Sequence, residues 1–266
     1  MIKKSTYSLL LLGFFCLSFK SVYEEPCGIK NYAFKAEEKI TMKVYYSTLG
    51  MYVGAGEAVF TNTLERYNGK PVYHCVGEGK TYSFFDNFYK VRDRYESYFD
   101  TSTNLPLKFI RNINEGGFKK YENVTFNPEA KTAVSTKGAF TVPACIQDVV
   151  SAVYYARNIN YDKYKKDDKI TFDMFLDDEV YHMYIRYMGK EKIKTRYGKF
   201  NAIRIKPLLI KGTIFEGGEK MNAWFSDDPN HLLLRVESPI AVGTIKVDMM
   251  KYENLRYPLT SLIEER

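Results

Sequence analysis

Residues 38–46 read EKITMKVYY and residues 168–176 read DKITFDMFL: a charged residue, a shared Lys-Ile-Thr and a following strand pattern, repeated at an offset of 130. One such match in a chain of alternating residues proves little, but the flanking sequence supplies more in the same order. Arg66-Tyr67 maps onto Arg196-Tyr197, and Gly69-Lys70 onto Gly198-Lys199. Tyr98-Phe99 followed by NLPLK at 104–108 resembles Trp224-Phe225 followed by Asn230 and LLLR at 232–235, and KYEN at 120–123 recurs letter for letter at 251–254. The offsets stay between 126 and 131, which points to an internal duplication with pseudo-repeats at about 38–127 and 168–254.

Inside the repeats the patterns are those of strands, at residues 41–46, 72–76, 107–111, 181–187, 202–206 and 233–237. Asn68-Gly69, Glu115-Gly116-Gly117 and Glu216-Gly217-Gly218 have the composition of tight hairpin turns, and Asp227-Asp228-Pro229-Asn230 that of a looser one. Between the repeats, residues 146–158 place Ile146, Val149, Val150, Val153 and Arg157 at helical spacing. The expected fold is mainly β: two related antiparallel sheet halves forming a barrel or tight sandwich, with one covering helix, all within a single domain at 21–266.

Composition agrees. Hydrophobic residues make up 45% of 266, with 23 Tyr and 18 Phe against 9 Pro, which excludes disordered and collagen-like classes. The net charge of +7 carries no basic block and no zinc-binding spacing, so no nucleic-acid partner is expected. At the N-terminus, Lys3-Lys4 precede YSLLLLGFFCLSF at 7–19, and residues 1–20 read as a secretory signal peptide. Phe14-Phe15 before Cys16 and Glu24-Glu25 before Cys27 are wrong for a lipidation box, and no later apolar run is long enough for a transmembrane span in the mature chain. The expected location is the periplasm or the periplasmic face of the outer membrane. Cys27, Cys75 and Cys145 remain, an odd and widely spaced set expected as small buried residues, with a Cys75–Cys145 bridge left open.

Few residues suggest chemistry. Val59 stands where the dinucleotide fingerprint would need its third glycine after Gly54 and Gly56, so those two read as a strand approached closely by its neighbour. No G-x-S-x-G elbow occurs. His74 and Cys75 fall on opposite faces of a strand, His231 lies in a turn expected to be exposed, and Asp177-Asp178-Glu179 near His182 read as a solvated hairpin tip. No cofactor and no metal are expected. In the alternating segment 92–96, Asp93 and Tyr95 share one face and Arg92, Arg94 and Glu96 the other. An inward Asp93 needs a partner, with Arg111 or Arg204 the candidates, which makes Asp93, Arg94, Tyr95 and Arg204 the candidate interior polar or ligand-orienting set. The aromatic density around Tyr82, Phe84, Phe85 and Tyr98, with Trp224 in the second repeat, suits either core filling or the lining of a lipid or sugar cavity.

Several of these stretches also resemble a family. VGAGEA at 53–58, VRDRYESY at 91–98 with Leu105-Pro106-Leu107, Gln147-Asp148 at the helix, Trp224, Asp227-Asp228 and VGTI at 242–245 resemble the exported bacterial proteins grouped as domain of unknown function 3108. The resemblance implies an antiparallel barrel-type envelope protein, of a shape also compared with lipoprotein carriers and capsule-cluster lipoproteins, and it implies no catalytic residue. The expected function is a non-enzymatic cell-envelope protein binding an apolar or glycan ligand or an envelope-assembly partner. The alternative is an enzyme on envelope polysaccharide or lipid that uses Asp93, Glu96 or Asp227.

Overall fold

Alternation of apolar and polar side chains places successive residues on opposite faces of a strand, and the alternating segments do form strands. A computed structural model describes residues 29–48, 51–211, 217–240 and 242–265. The leader at 1–20, Cys16, Cys27 and Glu216 lie outside the described residues. The first run of strands is β1 (Lys39–Thr48), β2 (Met51–Tyr67), β3 (Lys70–Thr81), β4 (Arg92–Asp100), β5 (Pro106–Glu115) and β6 (Phe118–Asn127), then the short β7 (Thr132–Ser135) and β8 (Gly138–Thr141). The second is β9 (Lys169–Leu176), β10 (Glu179–Lys194), β11 (Gly198–Pro207), β12 (Asn222–Ser226), β13 (Leu233–Pro239) and β14 (Thr244–Glu253).

Within each run every strand pairs antiparallel with the next, and the runs meet where β1 pairs with β14 from Lys39↔Glu253 to Ser47↔Thr244. The two expected halves are thus one continuous sheet ordered from β8 through β1 and β14 to β9, with β15 (Leu262–Glu265) added against β11. The sheet curls without closing its hydrogen-bond ladder. Its outer strands approach through side chains instead, with Phe175 of β9 against Phe126 of β6 at 6.0 Å and Phe140 of β8 at 5.5 Å between ring centroids. The meander sets up two ends. One carries the β1–β2, β3–β4, β5–β6, β9–β10 and β13–β14 connections, and the other the β2–β3, β4–β5, β6–β7 and β12–β13 connections.

The hairpin at Gly116-Gly117 illustrates why glycine stands there. Both residues have positive φ, +56° and +93°, and a side chain on Gly116 would collide with the Tyr89 ring. The β9–β10 turn uses Asp177 and Asp178 at φ +56° and +66° instead, which aspartate tolerates better than most residues. Gly56 confirms the close approach expected of its strand, since a Cβ there would lie 2.3 Å from the Lys80 carbonyl oxygen.

Among the described residues two α-helices interrupt the strands, α1 (Ser83–Asp86), a single turn that the apolar periodicity does not signal, and α2 (Val149–Arg157), followed by a short 3-10 turn at Tyr161–Lys163. Helix α2 starts later than residue 146 because Asp148 caps it. The Asp148 carboxylate accepts the N–H groups of Val150 and Ser151 at 2.7 and 2.8 Å, while the Ser151 hydroxyl accepts the Asp148 N–H at 2.9 Å. Gln147 is still extended and bridges to β9: its N–H donates to the Asp173 carbonyl, and its carbonyl accepts from the Phe175 N–H, both at 2.8 Å.

Helix α2 packs on the sheet face that carries Cys75 and Phe99, and its Val150 and Tyr154 complete a core with Phe34, Phe109, Val124 and Phe175. Its last turn buries Arg157, which grips Glu38 through two hydrogen bonds of 2.5 and 2.9 Å and donates to the Asn230 carbonyl at 3.1 Å. His231, expected to be exposed, is half-buried over this site, with its Nδ1 2.7 Å from the Arg157 carbonyl oxygen; burial pushes its pKa down. The cysteines also depart from expectation. Cys145 is disulfide-bonded, whereas Cys75 is a free buried thiol, so the two do not pair with each other. Cys75 sits on the inner sheet face among core side chains, away from any mate.

Candidate functional site

Asp93 and Tyr95 point to the inner face of β4 and Arg94 to the outer, as alternation requires. Asp93 accepts the Asn114 N–H at 3.0 Å, and neither expected arginine reaches it. Arg111 lies opposite Tyr95 in the register, one step further along, and is taken up by Glu122 at 2.7 Å and by Asp177. Arg204 belongs to the other meander, where it donates to Asn222 Oδ1 at 3.0 and 2.8 Å and stands over the Trp224 ring. The group beside Asp93 is another carboxyl, Glu115. Burial first and Glu115 second push the Asp93 pKa up to about 7, and burial with the Asp93 charge pushes Tyr95 to about 12. Arg94 pairs outward with Glu78 at 2.5 Å and Glu96 at 2.8 Å.

Next to this carboxyl pair is an ion cluster that holds the curled sheet together. Asp177, at the β9–β10 tip, meets Arg111 of β5 and Lys120 of β6, and its N–H donates to Glu122 at 2.9 Å; Asp178 meets Lys137 of the β7–β8 turn at 2.8 Å. The tip expected to be solvated is therefore packed against the other meander. Although partial burial opposes it, Lys120 and Arg111 hold the Asp177 carboxyl below its ordinary pKa. Among the described residues no group of three or more His, Cys, Asp or Glu is placed to hold a metal ion. His182 pairs instead with Asp173 at 2.6 Å on the outside.

The five aromatics singled out from the sequence do not come together. Trp224 is buried in a core cluster with Phe200 and Leu234. Tyr98 lies on the outer face, stacked on His74 at 4.0 Å, and His74 is held between Glu65 and Glu96 at 2.9 Å each. Tyr82, Phe84 and Phe85 belong to the β3–β4 connection, where Phe84 is exposed.

A concavity lies elsewhere. An open groove of about 520 Å³ lies at the β2–β3 and β6–β7 end, with an apolar floor of Leu105, Leu107 and Phe126, the Tyr67 ring at its side, and Asn68, Asp100, Thr103 and Asn127 on its rim. Tyr67 is 5.8 Å from the Tyr98 ring, and Lys108 stands over both. Sequence reasoning missed this groove because its residues come from three connections far apart in the chain. The one available signal was polar residues, Asn68 and Asn127, at the ends of aromatic-bearing strands. Lys70 and Glu129 span its mouth at 3.4 Å, an exposed pair of small energetic weight.

Comparison with known proteins gives a family and a fold. The sequence pattern of the family described as "Protein of unknown function (DUF3108)" matches residues 41–250. No curated protein matches the chain. Among solved structures, the β-barrel-like protein of domain of unknown function DUF1849 from Brucella abortus superposes with a TM-score of 0.57 at 9% identity, covering 84% of this chain and 99% of its own. A candidate lipoprotein from Parabacteroides distasonis gives a TM-score of 0.37 at 12% identity, covering 86% and 100%. A candidate exported protein with a YmcC-like fold from Bacteroides fragilis gives 0.31 at 11%, covering 85% and 100%. The first likeness establishes a β-barrel-like fold; the other two are too distant to carry an argument.

Proposed function

The chain belongs to the DUF3108 family, and from that premise we propose that it is an exported, non-enzymatic cell-envelope protein that holds a glycan in the groove beside Tyr67. The lining of that groove carries the reading. An aromatic ring and an apolar floor beside amide, hydroxyl and carboxylate residues suit the two faces of a sugar ring, and about 520 Å³ falls in the range of small-ligand sites. Export rests on the basic, then apolar, leader at 1–20, and the periplasm or the periplasmic face of the outer membrane is the compartment it suits. The 21–266 region is read as one domain made by duplication. Supporting this, β1–β6 and β9–β14 correspond in number, order and direction. Native mass spectrometry of protein purified from its own envelope is expected to reveal a hexose-containing adduct that Tyr67→Ala and Asn127→Ala variants lose. A wild-type chain that arrives bare, or an adduct that both variants keep, overturns the reading.

One observation favours a second reading, a carboxylate-dependent enzyme on envelope polysaccharide. Asp93 and Glu115 are hydrogen-bonded to each other, a closely spaced carboxyl couple of the kind that shares one proton, in which burial and Glu115 raise the Asp93 pKa to about 7. Release of reducing ends from purified envelope polysaccharide, lost in Asp93→Asn, is what this reading requires.

A further inference from the structure

We propose that the rim formed by the β3–β4 and β5–β6 connections, with Met51 and Val53 at the start of β2 and Val242 before β14, docks on the surface of an anionic lipid bilayer. This rim lies at the end opposite the groove and does not depend on what the groove holds. Large apolar side chains there stand in solvent: Met51 is 69% exposed, Val53 50%, Phe84 65%, Phe88 74%, Phe118 48% and Val242 68%. Scattered exposed apolar residues need no explanation, but a contiguous set does.

Contiguity follows from the topology and from contacts. The strands feeding these connections are neighbours in the sheet, β6 through β1 to β14 and β13. The Tyr82 N–H donates to the Ala55 carbonyl at 2.9 Å and ties the β3–β4 connection to the start of β2. Tyr89 lies over Gly116 and joins the β3–β4 and β5–β6 connections, while Gly243 abuts the Ser47 carbonyl and the Tyr46 ring and ties the stretch before β14 to the end of β1.

The aromatics are also held in place. Helix α1 buries none of its residues, and Phe84 packs on Phe85 and Phe88 at 5.6 and 5.5 Å between centroids. Its geometry is fixed from beneath by Asp86, which accepts the Thr81 hydroxyl at 2.5 Å and pairs with Arg92 at 2.6 Å. A turn built to present phenylalanines to solvent, rather than to bury them, is one that expects an apolar phase above it.

Charge selects the phase. Around the rim Lys80 pairs with Glu57, Arg92 with Asp86 and Lys246 with Glu237. Among the described residues no carboxylate forms a salt bridge with Lys43, Lys90 or Lys119, although Asp86 feels the Lys90 charge; set against the nearby Asp93–Glu115 couple, these three lysines leave a small cationic surplus among the apolar tips. Aromatic and aliphatic tips interleaved with lysine match the interfacial region of an anionic membrane. Phe84 and Phe88 protrude from the β3–β4 connection and Phe118 from the β5–β6 hairpin, and none of the three lines the Tyr67 groove. That arrangement suits a lipid surface better than a protein segment seated in a cleft.

Sedimentation of the purified protein with phosphatidylglycerol-containing vesicles, and with pure phosphatidylcholine vesicles, tests this directly. Binding is expected to the former and to be weak to the latter. Phe84→Ser with Phe88→Ser should weaken it about tenfold or more, and Lys90→Glu with Lys119→Glu should remove the preference for phosphatidylglycerol. Circular dichroism melts should leave both double variants folded, because these side chains pack on little. No binding to either vesicle, or binding indifferent to the phenylalanine pair, overturns the proposal. So does a photo-crosslinker at position 84 that captures one discrete protein in intact cells while the vesicles stay bare.

Discussion

At the scale of single residues, the energetic weight sits in charges kept from water. Arg157 and Glu38 are both almost fully buried, and each satisfies the other. Removing one partner of such a pair strands the other in a medium that solvates it poorly, so Arg157→Ala is expected to cost about 3–5 kcal/mol in a denaturant melt, while the exposed Lys70→Ala costs less than about 1 kcal/mol. Asp93 and Asp148 make a different prediction. Burial raises both above their ordinary value, to about 7 and about 6. In the native state they therefore retain protons that the unfolded chain has already released. The two carboxyls make stability fall as pH rises through that interval, partly offset by His231, whose lowered pKa works the other way, while carboxyls with lowered pKa such as Asp177 act at more acid pH. Thermal melts between about pH 5 and about pH 8 are expected to show the decline, and Asp93→Asn to flatten its upper part.

At the scale of elements, local sequence explains most boundaries and tertiary contacts explain the exceptions. Asn68-Gly69 and Glu115-Gly116-Gly117 were readable as turns because their φ requirement is local, and Ile203, Ile205 and Leu234 mark strand faces by alternation alone. The start of α2 was not readable from its apolar stripe. Ile146 and Gln147 have helical spacing but are drawn into the edge of β9, and Asp148 then acts as the cap. Asp148→Ala is expected to destabilise the protein by about 1–2 kcal/mol through the lost cap, and to raise amide exchange at Val150 and Ser151 before other positions. Helix α1 escaped notice because its aromatics face outward, where no periodicity marks them. The aromatic wealth of residues 82–99 was visible in the sequence. Its division among an exposed rim, an outer stack on His74 and a buried core was not, since that division depends on strand register.

At the scale of the whole molecule, one long sheet holds its curl with an ionic latch and aromatic contacts rather than a closed ladder. Asp177 is the centre of that latch, since it meets Arg111 and Lys120 from the opposite meander. Asp177→Ala should leave the β1–β14 junction intact and loosen the β8 and β9 edges, which hydrogen exchange would report as faster opening there than in β1 and β2. The pairing of β1 with β14 follows from nothing in either strand alone; both alternate well enough to pair with many others. Likewise, the Tyr67 groove exists only once three distant connections are brought to one end. Finally, the two described cysteines divide the labour of oxidation. Cys75 is fully enclosed, and its enclosure pushes the thiol pKa well up, so in the folded protein it supplies neither access nor thiolate for exchange with the bonded Cys145. Packing of β3 into the core thus shields the Cys75 thiol from exchange in the folded protein. A thiol reagent is accordingly expected to modify Cys75 only as the protein unfolds, and the reaction rate to follow global opening.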